Sequence, residues 1–144
     1  YCEALRVLIS GDMLLPKIST NVNVWPIDPT ADAVGMFLDS LDEFAELPDE
    51  TLVLPSHGLP FRGIRVRVRS LHEHHKARMA ELVEALDTPK TAYEILPVLF
   101  RRPLDNHQTF FAIGEGVAHL NHGIALGSLK QIEGDDGLLR AVRV

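Results

Sequence analysis

Two polar residues close short apolar runs in this sequence. Asp12 follows "LRVLISG" and His57 follows "TLVLPS". Carboxylate oxygen and imidazole nitrogen are both good zinc ligands, so a shared cation is one chemistry open to the pair. Spacing alone leaves other roles open: an Asp in a turn commonly caps local backbone, and a lone His commonly serves as a hydrogen-bonded structural residue.

The elements that must position these residues can be read from apolar periodicity. "LRVLISG" (5 to 11) and "TLVLPSH" (51 to 57) are short, rich in Val, Leu and Ile, and bounded by Gly, Asp or Pro, as buried strands are. Between them Val34, Phe37, Leu38, Leu41 and Phe44 recur at helical spacing. Asp28 is expected as the N-cap of that helix, with Pro29 in its first turn. Strand, loop, helix, strand is the order of a layered α/β unit, and in open α/β layers ligands gather beyond the carboxyl ends of the strands. Asp12 and His57 both stand at such ends.

Further along, Ile64, Val68, Leu71, His75, Met79, Leu82 and Leu86 predict one long amphipathic helix. "DTPK" (87 to 90) interrupts it, Thr91 and Glu94 form a capping box for the next helix, and Pro97 keeps that helix short or kinked. A further helix is expected from the stripe Phe110, Ile113, Val117, Leu120 and Ile124, ending near Gly127. The closing stretch "LKQIEGDDGLLRAVRV" reads as two strands joined at Asp136 and Gly137, a hairpin signal. Helices followed by a hairpin resemble a winged-helix module. The expected organisation is therefore an α/β part over residues 1–87 and a winged-helix-like α+β part over residues 88–144.

Composition narrows the function classes. Hydrophobic residues make up 46% of 144 positions, enough for a packed core, and the net charge of -6 disfavours a general binder of polyanions. In 88–144 the bases Lys90, Arg101, Arg102, Lys130, Arg140 and Arg143 are matched by Glu94, Asp105, Glu115, Glu133, Asp135 and Asp136. The helix that would read DNA carries no Lys or Arg, so DNA is not an expected partner. Cys2 is the only cysteine, which excludes an internal disulfide and a cysteine zinc cluster and suits a reducing, cytoplasmic setting. No apolar run is long enough to span a membrane, and none has the flanks of a secretory leader. The sequence does not start with Met, as expected of a piece of a longer protein.

A family resemblance gives these features one frame. "YCEALRVLISGD", "DPTADAVGMFLDSL", "LVLPSHG" and "RRPLDNHQTFFAIGEGVAHLNH" together resemble the C-terminal half of a metallo-β-lactamase-fold hydrolase with a winged-helix-like tail. The resemblance covers essentially the whole chain. It implies part of an αββα sandwich, and it implies that Asp12 bridges two zinc ions while His57 completes the shell of the second. Two such ions generate a hydroxide nucleophile and stabilise a developing oxyanion.

The sequence also departs from that pattern. The family's H-x-H-x-D-H motif and a further histidine lie upstream of the bridging aspartate, and only Tyr1 to Gly11 precede Asp12 here. "HEHH" (72 to 75) imitates the motif but falls inside the long helix, so His72 and His75 are read as structural or solvated residues. His107, His119 and His122 are read as packing or surface residues.

Three functions are weighed. The first is the C-terminal portion of a binuclear zinc hydrolase, foremost of glyoxalase II type, acting on a small-molecule thioester or ester and inactive as this chain alone. A metal-dependent endoribonuclease of the same fold is its alternative. The others are a winged-helix nucleic-acid reader and a non-catalytic interaction module whose tail shapes a cleft or a homo-oligomer contact. Residues 13–27 are the local candidates for touching substrate, with Lys17, Asn21, Asn23 and Trp25 able to meet an anionic or planar group.

Overall fold

Strand β1 (Val7–Gly11) and strand β2 (Leu52–Pro55) lie side by side in parallel in the computed structural model, which describes residues 1–144. Their register pairs Val7 with Leu52, Leu8 with Val53 and Ile9 with Leu54, then shifts so that Gly11 faces Pro55. Alternation along β1 turns Leu8 and Ser10 inward and leaves Ile9 78% exposed. The run that reads as a buried strand is thus covered on one face only.

Parallel neighbours need a crossover, and helix α1 (Ala33–Ala45) lies in it, burying Val34, Phe37 and Leu41. Its cap differs from the expectation. Asp32, not Asp28, accepts the Gly35 N–H at 2.8 Å, while Asp28 closes a turn by donating its N–H to Trp25 O and accepting from Ala31. Both aspartates suit a cap by type. Asp32 is also held by His122 Nδ1 at 2.9 Å, a partner ninety positions on that no local pattern reveals.

Helix α2 (Ile64–Ala85) follows, and the predicted stripe is its buried face: Ile64, Val68, Leu71, His75, Met79 and Leu82 are all buried, as is Leu86 just beyond. Packing groups the chain into two units, 1–20 with 36–75 and 21–35 with 76–144, so the grouping follows contacts rather than a cut in chain order. In the first unit the segment after β2 folds back, and Val53 and Phe61 exchange backbone hydrogen bonds at 2.8 and 3.1 Å.

The second unit contains helix α3 (Leu96–Leu99), helix α4 (Asn106–Ala125) and an antiparallel hairpin of β3 (Leu129–Glu133) and β4 (Leu139–Arg143). The turn falls at Asp136 and Gly137 as its residues predict, with Gly137 at φ 74°. Thr91 and Glu94 make the expected reciprocal bonds, the Thr91 N–H donating to Glu94 Oε2 at 2.8 Å and the Glu94 N–H to Thr91 Oγ1 at 3.3 Å, but they close the turn before α3, whose own N-cap, Ile95, makes no side-chain cap bond. Lys90 exchanges two backbone bonds with Ala141 at 3.0 and 2.9 Å, which ties the linker to the hairpin. The core joins Met79, Leu82, Leu86, Ile95, Leu120, Leu129 and Ala141.

Helix α4 bears out the later part of the stripe expected of it, with Leu120 buried and Ile124 packed on the core, and corrects the earlier part. Phe110 is 62% exposed, and the buried residues are Ala112, Gly116, Ala118, His119, Leu120, His122 and Gly123. A Cβ on Gly123 would come within 2.5 Å of Leu129 Cδ1, so the hairpin approaches the helix through a glycine rather than through a large apolar side chain. No helix is long and apolar enough to cross a membrane.

Candidate functional site

Because β1 and β2 run parallel in neighbouring positions, their carboxyl ends emerge together. Asp12 and His57 follow directly, and Asp12 Oδ1 stands 3.6 Å from His57 Nε2. The structure therefore brings together the two residues singled out at the strand ends. That gap is too long for a hydrogen bond. The side chains remain open to solvent, 68% exposed for His57 and 59% for Asp12.

The backbone around the pair is tightly determined. Gly11 adopts φ 54°, which turns the chain out of β1 just before Asp12. Ser10, on the buried face, accepts the Met13 N–H at its carbonyl at 3.1 Å and donates its hydroxyl to Leu14 O at 2.9 Å. Leu14 and Leu15 are then anchored at 0% and 3% exposure. Arg67, on the first turns of α2, donates from Nε to Leu15 O at 2.6 Å and from Nη2 to Ile18 O at 2.8 Å, so a guanidinium from far along the chain fastens the loop after Asp12. Burial lowers the Arg67 pKa from its ordinary value. On the other side of the pair Gly58 takes φ 85°, and a Cβ there would meet Pro16 Cγ at 2.6 Å. The two loops thus touch through a glycine and a proline, which fixes one against the other.

The serine of "SHG" is a site residue that sequence reasoning passed over. Ser56 donates its hydroxyl to Asp12 Oδ1 and its N–H to Gly11 O, the latter at 3.1 Å. The only sequence signal for it is adjacency to His57. For Arg67 there was none.

The donor set suits zinc. Two ligand atoms about 2.1 Å from a tetrahedral ion stand roughly 3.4 Å apart, close to the separation observed between carboxylate and imidazole. No cluster of three or more His, Cys, Asp or Glu side chains with ligand geometry occurs in the chain. Asp12 and His57 are two such donors and no third stands beside them.

The remaining histidines occupy other settings. His72 Nε2 meets Asp42 Oδ1 at 2.8 Å on the surface, and His75 is buried with its ring 5.6 Å from that of Phe37. His107 lies 5.0 Å from Phe111, His119 Nδ1 pairs with Glu115 O at 2.9 Å, and His122 pairs with Asp32.

Of the candidate substrate residues, Lys17 is exposed in the first unit, and Asn21 is exposed in the second. Asn23 and Trp25 line a cavity of about 460 Å³ within the second unit, together with Pro26, Pro29, Phe110, Phe111 and Val117. The Trp25 and Phe110 rings are 6.2 Å apart and tilted by 57°. The cavity offers planar, apolar contacts and is within the usual size range for a small-molecule site.

Comparison with known proteins agrees with this architecture. Residues 79–144 match the family described as metallo-beta-lactamase-like, C-terminal domain. The crystal structure of a beta-lactamase domain protein from Burkholderia ambifaria is similar over 99% of the chain, with 49% identity and a TM-score of 0.94, and the match takes in 42% of that protein. A metallo-beta-lactamase family protein from Thermus thermophilus is similar over 100% of the chain at 34% identity and a TM-score of 0.85, with 44% of its own length matched. The chain thus spans less than half the length of these solved relatives. No curated protein sequence matches it.

Proposed function

Since the chain belongs to the metallo-β-lactamase superfamily and matches the C-terminal part of its members, we propose that it contributes Asp12 and His57 to the binuclear zinc centre of a hydrolase. The observation that carries this reading is the convergence of those two side chains to 3.6 Å at the ends of adjacent parallel strands. When bound, a pair of zinc ions supplies Lewis acidity that lets water attack an acyl carbon at neutral pH. In this chain Asp12 would offer its two oxygens and His57 its Nε2. Ser10, Leu14, Leu15 and Arg67 hold the loop that carries the carboxylate.

The substrate we assign is a small-molecule thioester or ester, as in enzymes of glyoxalase II type. The net charge of -6 repels a polyanion, which favours this class over RNA, and the Trp25 and Phe110 cavity suits an apolar or planar group. The elements α3, α4 and the β3–β4 hairpin are read as a winged-helix-like module that serves packing and cleft shaping rather than DNA reading. The setting is read as cytoplasmic, consistent with the exposed free thiol of Cys2.

Two donors leave each ion short of the three or four protein ligands that zinc takes, so this chain alone is read as inactive. The test is direct. The purified chain and the protein at its natural length are assayed for zinc by plasma emission and for hydrolysis of a thioester and of nitrocefin. Stoichiometric zinc and chelator-sensitive thioester turnover are expected from the longer protein only. Chelator-sensitive turnover by the chain alone would overturn the reading of it as a partial site.

A further inference from the structure

Asp12 Oδ1 has two polar neighbours, and one of them is not among the proposed ligands. His57 Nε2 lies 3.6 Å away, and the Ser56 hydroxyl donates to the same oxygen, leaving Oδ2 without a protein partner. Ser56 is held in place independently of that bond, because its own N–H donates to Gly11 O at 3.1 Å where the β1–β2 register has shifted to set Gly11 opposite Pro55. The backbone of residue 56 is thus tied to residue 11, and its side chain to residue 12.

We propose that Ser56 is a positioning residue for the Asp12 ligand, an inference that rests on the zinc reading above. The physical need is plain. An aspartate side chain 59% exposed at the end of a strand is free to rotate among staggered wells, and the one observed sets its Oδ1 3.6 Å from His57 Nε2. A ligand that is competent for a fraction of the time weakens apparent affinity by that fraction. The Ser56 hydroxyl selects the rotamer before any cation arrives. It then remains on Oδ1, since a carboxylate oxygen has a second lone pair to offer. Outer-shell hydrogen-bond partners of this kind orient ligands and tune affinity.

The substitution Ser56→Ala isolates the hydroxyl, because the N–H bond to Gly11 O is kept. Residue 56 is exposed, so the variant is expected to fold. In the protein at its natural length, zinc affinity is measured by competition with a chelating dye, and the thermal midpoint is measured in the presence of chelator. Ser56→Ala is expected to weaken zinc binding about 10-fold with an unchanged metal-free midpoint, and Ser56→Thr, which keeps a hydroxyl, to bind as wild type. If Ser56→Ala binds zinc within twofold of wild type while Asp12→Ala loses it, Ser56 is no positioning residue although the zinc site stands. If Ser56→Thr is as weak as Ser56→Ala, the hydroxyl is not the cause and the inference fails. If Asp12→Ala itself binds zinc as wild type does, the zinc reading falls and takes this inference with it.

Discussion

The first unit holds an Asp–His pair at 3.6 Å in solvent, and the second holds another, Asp32 with His122, at 2.9 Å with the imidazole side chain only 11% exposed. The same two residue types meet for opposite ends. In the second pair an imidazole N–H fills the gap, and the carboxylate also caps α1 through the Gly35 N–H, so the pair is spent on holding residues 29–35 to α4. Asn121 strengthens that tie by donating to Pro29 O and Ala31 O at 2.9 and 3.0 Å. In the first pair the groups stand apart and face water, and the surrounding backbone and the Ser56 hydroxyl rather than the pair supply rigidity. A His–Asp contact is thus informative only together with its distance and burial: closed and buried reads as structure, while an open, convergent pair is free to take the ligand role proposed for Asp12 and His57.

The largest effect expected from breaking this contrast is on activity. In the protein at its natural length, Asp12→Ala or His57→Ala should abolish most turnover and lower the zinc content while leaving the thermal midpoint nearly unchanged, because both side chains are more than half exposed. Turnover assays with metal analysis check this, and full occupancy with wild-type turnover in either variant would remove the distinction.

Next in size, Asp32→Ala should do the reverse. It removes a helix cap and leaves a buried imidazole nitrogen without its partner, costing about 2 kcal/mol in urea unfolding with no change in zinc affinity. Asp32→Asn, which can still cap, should recover much of that loss.

The next effect depends on pH. Burial raises the Glu115 carboxyl on α4 from 4.5 to about 7. The folded chain therefore keeps a proton that the unfolded chain releases, so this group's contribution is complete below pH 4.5 and is lost as pH rises toward 7. Glu115→Gln should flatten the decline in stability across that window, by on the order of 3 kcal/mol at most. Melting curves at about pH 5 and about pH 7.5 would reveal it, and an equal decline in the variant would assign the effect elsewhere.

Smallest of all is the surface pair. His72→Ala removes a 2.8 Å contact with Asp42, whose side chain is 65% exposed, and should shift stability by less than about 0.5 kcal/mol. A loss of several kcal/mol would mean that "HEHH" does more than decorate the helix.

Much of the architecture could be read locally. The stripe from Ile64 to Leu86 is buried as its spacing demands, the reciprocal Thr91 and Glu94 bonds form around a turn, and Asp136–Gly137 turns the hairpin. Each of these signals lies within one helical turn or one tight loop. The cap and the outer end of the α4 stripe have the opposite origin: Asp32, which caps α1, is held by His122, and Phe110 stands against Trp25 at a cavity rather than in the core. Both depend on residues outside the local window.

The site divides along the same line. Residue type and strand-end position were enough to single out Asp12 and His57, since a polar residue after a short apolar run has few places to be except a strand terminus. Their approach to 3.6 Å, the Ser56 hydroxyl on Asp12 and the Arg67 clamp on the following loop were decided only by the parallel pairing of β1 with β2 and the placement of α2. Periodicity within an element is set by its own dihedral angles and is written in neighbouring residues. The contacts between elements depend on which faces are buried together, and that is settled when the chain folds.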